Sequence, residues 1–157
     1  MKRRTFVARG GVVSAGLIAT HAALALGLLP RQLQAAWPAA AFETDDLAEA
    51  ERLLFNDAAT EESDQLDITA PDIAENGSVV PVKVRVDLEN PESVAIFARE
   101  NPTPLLAKVN FTQDVAPEVA LRVKLGATTE LVAVAKADGR LYRATRSVKV
   151  TSGGCGG

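Results

Sequence analysis

The sequence predicts a mainly β protein: an immunoglobulin-like antiparallel β-sandwich of about seven strands, with one short N-terminal helix and a flexible C-terminal arm. Three observations carry that expectation. Apolar residues alternate with polar ones over most of the stretch from Leu66 to Val150, which is the period of a strand with one buried face. Turn signals rich in Pro, Gly, Asn and Asp interrupt the alternation at short intervals. Between those turns no stretch shows the 3.6-residue period of a helix, which points to a sandwich.

Residues 1–36 stand apart from this pattern. Lys2-Arg3-Arg4-Thr5-Phe6-Val7 is a basic leader with paired arginines, and an apolar stretch from Val12 to Leu29 and small residues from Ala35 to Ala41 follow it. This is the layout of a twin-arginine signal peptide, with Arg3 and Arg4 as the export signal. Cleavage is expected between Ala35 and Ala41, where Ala39-Ala40-Ala41 fits the small-x-small rule. The apolar stretch is rich in Ala and Gly and closes on Pro30 and Arg31, so it is too weakly hydrophobic for a permanent membrane anchor.

Residues 37–151 then form the expected carrier domain. Trp37-Pro38 to Phe42 reads as a short apolar lead. Thr44 is a good N-cap, Asp45 and Asp46 suit a first helical turn, and Leu47, Ala50 and Leu54 recur at helical spacing up to Phe55. Leu66, Ile68 and Ala70 begin the strands, and Pro71-Asp72-Ile73-Ala74-Glu75-Asn76-Gly77 turns the chain. Val80, Val82, Val84 and Val86 make the clearest strand, with Pro81 at its start or on an edge because proline cannot donate to a ladder. Val94, Ile96 and Ala98 line the next inward face, followed by the Asn101-Pro102-Thr103-Pro104 turn. Leu105, Ala107, Val109 and Phe111 continue the pattern, then Val119, Leu121, Val123 and Leu125. Leu131 to Lys136 and Leu141 to Thr151 flank Ala137-Asp138-Gly139-Arg140, a hairpin whose Asp-Gly pair supplies positive φ.

Composition narrows the chemistry. The leader holds five basic residues and no acidic one, so twelve Lys and Arg remain against twenty Asp and Glu, a net charge of −8 after its removal. Nucleic acid is an unsuitable partner for such a surface. His21, the single histidine, and Met1, the single methionine, both fall in the leader. The remaining chain therefore offers no histidine dyad for nucleophilic catalysis and no imidazole metal site. No cofactor is expected.

The one cysteine, Cys155, lies in Ser152-Gly153-Gly154-Cys155-Gly156-Gly157. With no second cysteine there is no intramolecular disulfide, so the thiol is free, intermolecular or chemically loaded. Gly153, Gly154, Gly156 and Gly157 carry no β-carbon and let residues 152–157 serve as a swinging arm that fits a narrow channel. From Thr151, four residues at about 3.3–3.6 Å each let the sulfur stand roughly 13–14 Å beyond the last anchored position.

These residues resemble the SoxY family, the sulfur-carrier subunit of the periplasmic thiosulfate-oxidising (Sox) system. The resemblance runs through the twin-arginine leader, Trp37-Pro38, the Pro71 to Gly77 turn, Asn101-Pro102-Thr103-Pro104-Leu105 and the ending from Val148 to Gly157, where Ser152 replaces an apolar residue of the family pattern. It implies a non-catalytic, periplasmic carrier paired with an immunoglobulin-like SoxZ subunit in a heterodimer. It implies that Cys155 is joined to thiosulfate by a c-type cytochrome complex, SoxXA, giving a cysteine S-thiosulfonate. A manganese hydrolase, SoxB, then releases sulfate, and a molybdenum and haem dehydrogenase, SoxCD, acts on the remaining sulfur. Haem, manganese and molybdenum belong to those partners. Two other readings of the residues stand beside this one. One is a ubiquitin-like carrier using Gly156-Gly157, which the leader argues against. The other is an exported structural or adhesive sandwich that uses Cys155 for an intermolecular disulfide.

Overall fold

The structure, a computed structural model, describes residues 37–113 and 115–151. Two helices, α1 (Ala39–Glu43) and α2 (Leu47–Phe55), precede nine strands among these residues: β1 (Thr60–Glu62), β2 (Leu66–Thr69), β3 (Ile73–Ala74), β4 (Val80–Val86), β5 (Pro91–Ala98), β6 (Leu105–Asn110), β7 (Glu118–Val123), β8 (Thr129–Ala137) and β9 (Arg140–Val150). The large sheet runs β1-β9-β8-β5-β6 with β3 also on β9, and the small sheet runs β2-β4-β7. The seven longer strands pair antiparallel, as the alternation requires. The two beyond the expected seven, β1 and β3, are three and two residues long and lie parallel to β9. Elements that short carry no periodic signal.

The core between the sheets is built by alternation. β4 buries Val80, Val82, Val84 and Val86 and exposes the residues between them. Val94, Ile96, Ala98, Leu131, Ala133, Ala135 and Val148 face them from the large sheet in one cluster. Each such side chain contributes about 1.5–3 kcal/mol relative to exposure, and together they decide register, because a slip of one residue would turn all of them outward.

Alternation fails in β5 and β8, where Val94 to Ala98 and Leu131 to Ala135 are all buried. Two faces of one sheet are covered there. Ala95, Phe97, Val132, Val134 and Leu141 point away from the small sheet and pack with Ala41 and Ala50 of the helices, joined by Phe42, Leu47, Leu54 and Phe55. The domain therefore has three layers, with a helical layer outside the large sheet.

That layer corrects two expectations. The segment expected as an apolar lead contains a helix, α1, because Ala41 is buried and Ala41 N donates to Pro38 O at 3.0 Å. The N-cap of α2 is Asp46, whose Oδ1 accepts from Glu49 N at 2.8 Å, while Thr44 Oγ1 accepts one step earlier from Asp46 N at 3.2 Å. An ionised carboxylate at that place meets the positive end of the helix dipole as well as an orphan donor.

Other turn chemistry follows the sequence. Asp138 and Gly139 both adopt positive φ, 47° and 74°, and make the two-residue hairpin between β8 and β9. Pro81 lies in the middle strand of the small sheet, but at its start. Val86 N donates toward the β7 side, to Pro117 O, so alternation turns the Pro81 nitrogen toward β2, which has ended at Thr69, the partner of Lys83. In β6 the register against β5 shifts between Ile96 and Phe97, so that Ile96 pairs with Ala107 and Phe97 with Leu105. Leu106 is the extra residue. Leu105 therefore joins the helix-side cluster and Leu106 packs on the sandwich core, a bulge that ends the simple alternation expected for this strand.

Candidate functional site

Cys155, the glycines Gly153, Gly154, Gly156 and Gly157, and the paired Arg3 and Arg4 all lie outside the described residues. The candidate site among the described residues is the end of β9, the root beyond which residues 152–157 continue the sequence.

Val148 is fully buried and pairs with Thr129 of β8. On the other side β3 runs alongside, with Ile73 opposite Lys149 and Ala74 opposite Val150. Lys149 N donates to Asp72 O at 2.9 Å and Thr151 N to Ala74 O at 3.0 Å, while Val150 N donates to Thr128 Oγ1 at 3.0 Å. Arg146 adds a further tie between β9 and the turn before β3, donating from its guanidinium to Asp72 Oδ1 at 2.8 Å. The end of β9 is therefore held from both sides and is not a free sheet edge. The two-residue β3 converts an edge into an interior position just before the arm begins.

Gly77 completes the root. A β-carbon there would lie 2.4 Å from Leu125 O and 2.9 Å from Val150 Cγ1, and Leu125 N donates to Gly77 O at 2.7 Å. Only a residue without a side chain lets the 71–77 turn, the loop after β7 and the end of β9 meet this closely. The sequence signalled a turn at Pro71 to Gly77 but not that its backbone clamps the arm root. Asp72, Ala74, Gly77, Thr128 and Arg146 carry no motif of their own, and their role depends on contacts across long sequence separations.

The antiparallel order gathers several loops at the same end of the sandwich. β9 and β5 end there, β8, β6 and β4 begin there, and β2 and β7 end there. The loops 70–79, 99–104 and 124–128 thus surround the arm root. Titratable groups with perturbed proton affinity lie elsewhere. Glu92 is held below the usual carboxylate range by hydrogen bonds from the Lys136 ammonium and the Gly139 amide, at the far end of the β8–β9 hairpin. Glu49 is lowered and Arg52 raised by their mutual hydrogen bond on α2, and Arg140 is raised by its hydrogen bond to Glu61. Among the described residues, no group of three or more His, Cys, Asp or Glu is arranged to hold a metal ion. No helix among them is long and apolar enough to cross a membrane.

Comparisons with known proteins place the chain among its relatives. The family model described as sulfur oxidation protein SoxY matches residues 51–155. Among solved structures, the sulfur carrier protein SoxY from Chlorobium limicola f thiosulfatophilum is 39% identical, with a TM-score of 0.63, over 68% of this chain and 97% of that one. A superoxide reductase (neelaredoxin) from Ignicoccus hospitalis is 22% identical over 72% of this chain and 98% of its own, with a TM-score of 0.49, a similarity that carries no functional argument. A search of the curated proteins finds no match. A family match spanning two thirds of the chain, together with a mainly β sandwich shared with a SoxY carrier, makes this chain a member of the SoxY family of sulfur oxidation proteins, a carrier rather than an enzyme.

Proposed function

We propose that this chain carries thiosulfate-derived sulfur covalently on Cys155 and presents it to partner enzymes. One observation carries the reading: a strand that ends at Val150, its end held on both sides at Lys149–Thr151, stops five residues before the chain's single cysteine. A rigid post followed by glycines gives the thiol reach without moving the domain. The chemistry requires a cysteine, because it alone among side chains forms an S–S bond with an incoming sulfur. Joining the Cys155 thiolate to the outer sulfur of thiosulfate forms Cys–S–S–SO₃⁻ and releases two electrons. A c-type cytochrome complex of the SoxXA kind accepts them. Water then attacks the sulfonate at a hydrolase of the SoxB kind, releasing sulfate and leaving a persulfide on Cys155. A dehydrogenase of the SoxCD kind oxidises that remaining sulfur further.

In this reading the carrier works in the periplasm as a heterodimer with a SoxZ-like subunit, exported through Arg3 and Arg4, and binds no cofactor of its own. The fold also bears on processing. Ala41 is buried within α1, so a cut after Ala41 would sever the helical layer, whereas a cut at Ala35 or Ala36 leaves it whole. The mature chain is expected to begin at residue 36 or 37.

Intact mass spectrometry of the exported protein tests all of this at once. With thiosulfate and the partner cytochrome, the expected spectrum shows a reductant-labile gain of one thiosulfate that is absent from Cys155→Ser, on a chain starting at 36 or 37. A plain disulfide dimer under every condition would instead assign Cys155 to a structural crosslink, and a chain starting at Phe42 would overturn the processing site.

A further inference from the structure

Twelve lysines and arginines lie among the described residues, and eight of them are in ion pairs. Lys108 is one of the four that are not. It shares a cavity of about 460 Å³ with Lys136, whose ammonium already holds Glu92. The cavity lies on the helix-covered face of the large sheet, at the end where the β8–β9 hairpin turns, and Leu54, Phe55 and Leu141 form its apolar wall. This is the opposite end of β9 from Val150.

Strand register gathers the polar groups. Ser93 of β5 has Lys136 of β8 on one side and Asn110 of β6 on the other, so the three stand in a row across adjacent strands about 4.8 Å apart. Lys108 follows two residues from Asn110 on the same face, opposite Ala95, and its ammonium reaches back to within 3.5 Å of Asn110 Oδ1. The pairing of β5 with β8 skips from Pro91 to Ser93, so Glu92 is the extra residue of a bulge, and its carboxylate meets the Lys136 ammonium and the Gly139 amide. Ser93 itself is only 6% exposed and lines the cavity, and its hydroxyl makes no hydrogen bond among the described residues. A hydroxyl that is nine-tenths buried without a partner carries a desolvation cost that a ligand in the cavity would remove.

We propose that this cavity binds a small oxyanion of the sulfate or phosphate kind between Lys108, Lys136 and the Ser93 hydroxyl. Free donors outnumber free acceptors there. Both Glu92 oxygens are taken, by Lys136 and Gly139, and Asn110 Oδ1 faces Lys108, so two ammoniums against one carboxylate leave one positive charge unmatched. A tetrahedral oxyanion matches that set, with one oxygen for each ammonium and a third for the serine hydroxyl. The C-terminal end of α2, which reaches the cavity at Leu54 and Phe55, brings a partial negative charge that favours the two ammoniums and moderates the hold on an anion. Because Lys108 is half-buried and Lys136 still meets solvent, the affinity lies in the millimolar range and is screened by salt. An occupied site links β5, β6 and β8 beneath the end of α2. It goes beyond the carrier reading and needs nothing from Cys155.

Inorganic sulfate and, separately, inorganic phosphate are the probes, titrated into the exported protein at an ionic strength held constant with sodium chloride and followed by amide NMR. Both are expected to give saturable shifts at Ser93, Lys108, Lys136 and Gly139, with Leu54 to Asn56 moving alongside. Ser93→Ala and Lys108→Gln should each weaken the apparent affinity about tenfold, the size of one lost charge-assisted hydrogen bond. Lys108→Arg is expected to keep it, and Cys155→Ser to bind as the wild type does, which separates this site from the sulfur chemistry. Shifts that rise without saturating, that are as large at Arg122 and Lys124 as at Lys108, or that are unchanged in both Ser93→Ala and Lys108→Gln would overturn the site.

Discussion

The two margins of this sandwich are built in opposite ways. Along the β9 margin the sheet is continued by β1 and β3, Val148 is fully buried, and the backbone of Lys149 and Thr151 is hydrogen-bonded outward to Asp72 and Ala74. Along the other margin β6 and β7 are the last strands of their sheets among the described residues, and Leu106, Val109, Phe111, Val119 and Leu121 are only half-buried between them. The closed margin holds the end of β9, while the open one bears Arg122 and Lys124, which have no ion pair among the described residues. The contrast shows order concentrated where the described chain ends and accessible surface left along the β6–β7 margin.

Substitutions can break that contrast in order of size. Phe97 is fully buried under the helical layer, so Phe97→Ala is expected to lower stability by about 3–5 kcal/mol, whereas Phe111→Ala on the open margin costs about 1–2 kcal/mol because its site is already part solvent. Urea unfolding of both variants measures the gap, and equal losses would mean that the open margin is as tightly packed as the interior.

Glycine sharpens the comparison. Gly77→Ala forces a β-carbon onto the Leu125 carbonyl and Val150, with an expected loss of about 1–3 kcal/mol and faster hydrogen exchange at the Thr151 amide. At Gly126 the nearest atom to a new β-carbon is Asn101 Oδ1 at 3.9 Å, so Gly126→Ala should leave both readouts near the wild type. A tolerant Gly77 would remove the case for a clamped root.

A smaller effect is expected from the ion pair across the root. Asp72 is 88% exposed, so Asp72→Asn should change stability by less than about 1 kcal/mol, its backbone carbonyl continuing to accept from Lys149. A larger loss would show that the side chain, and not the β3 backbone, holds the arm base.

The far end of the β8–β9 hairpin provides the smallest effect. Glu92 has a folded proton affinity below its unfolded one, through Lys136 first and then the Gly139 amide. The stability it adds is therefore present above the ordinary glutamate range and is lost as pH falls through the lowered folded value. Urea midpoints between pH 6 and pH 2 should fall less steeply for Glu92→Gln than for the wild type, and parallel curves would reject the linkage.

Much of this was legible from residues alone, for reasons that are local. The valines of β4 alternate because one face must leave water, and Asp138-Gly139 adopts positive φ because aspartate tolerates the left-handed region and glycine has no β-carbon to oppose it. The glycine-flanked Cys155 pointed to an arm through sequence alone. The apolar runs Val94 to Ala98 and Leu131 to Ala135 also held a signal that alternation masks, since five buried residues in a row require cover on both faces. By itself, then, the sequence determined the sandwich, its hairpin, the charge of the chain and the position of its only thiol. Tertiary structure alone decided that α1 and α2 cover the outer face, that Leu106 bulges, that β3 turns the end of β9 into an interior strand, and that Arg122 and Lys124 have no acidic partner among the described residues. Those outcomes depend on backbone and charge pairings between residues far apart in the chain, and no short-range pattern encodes a pairing whose two halves are specified separately.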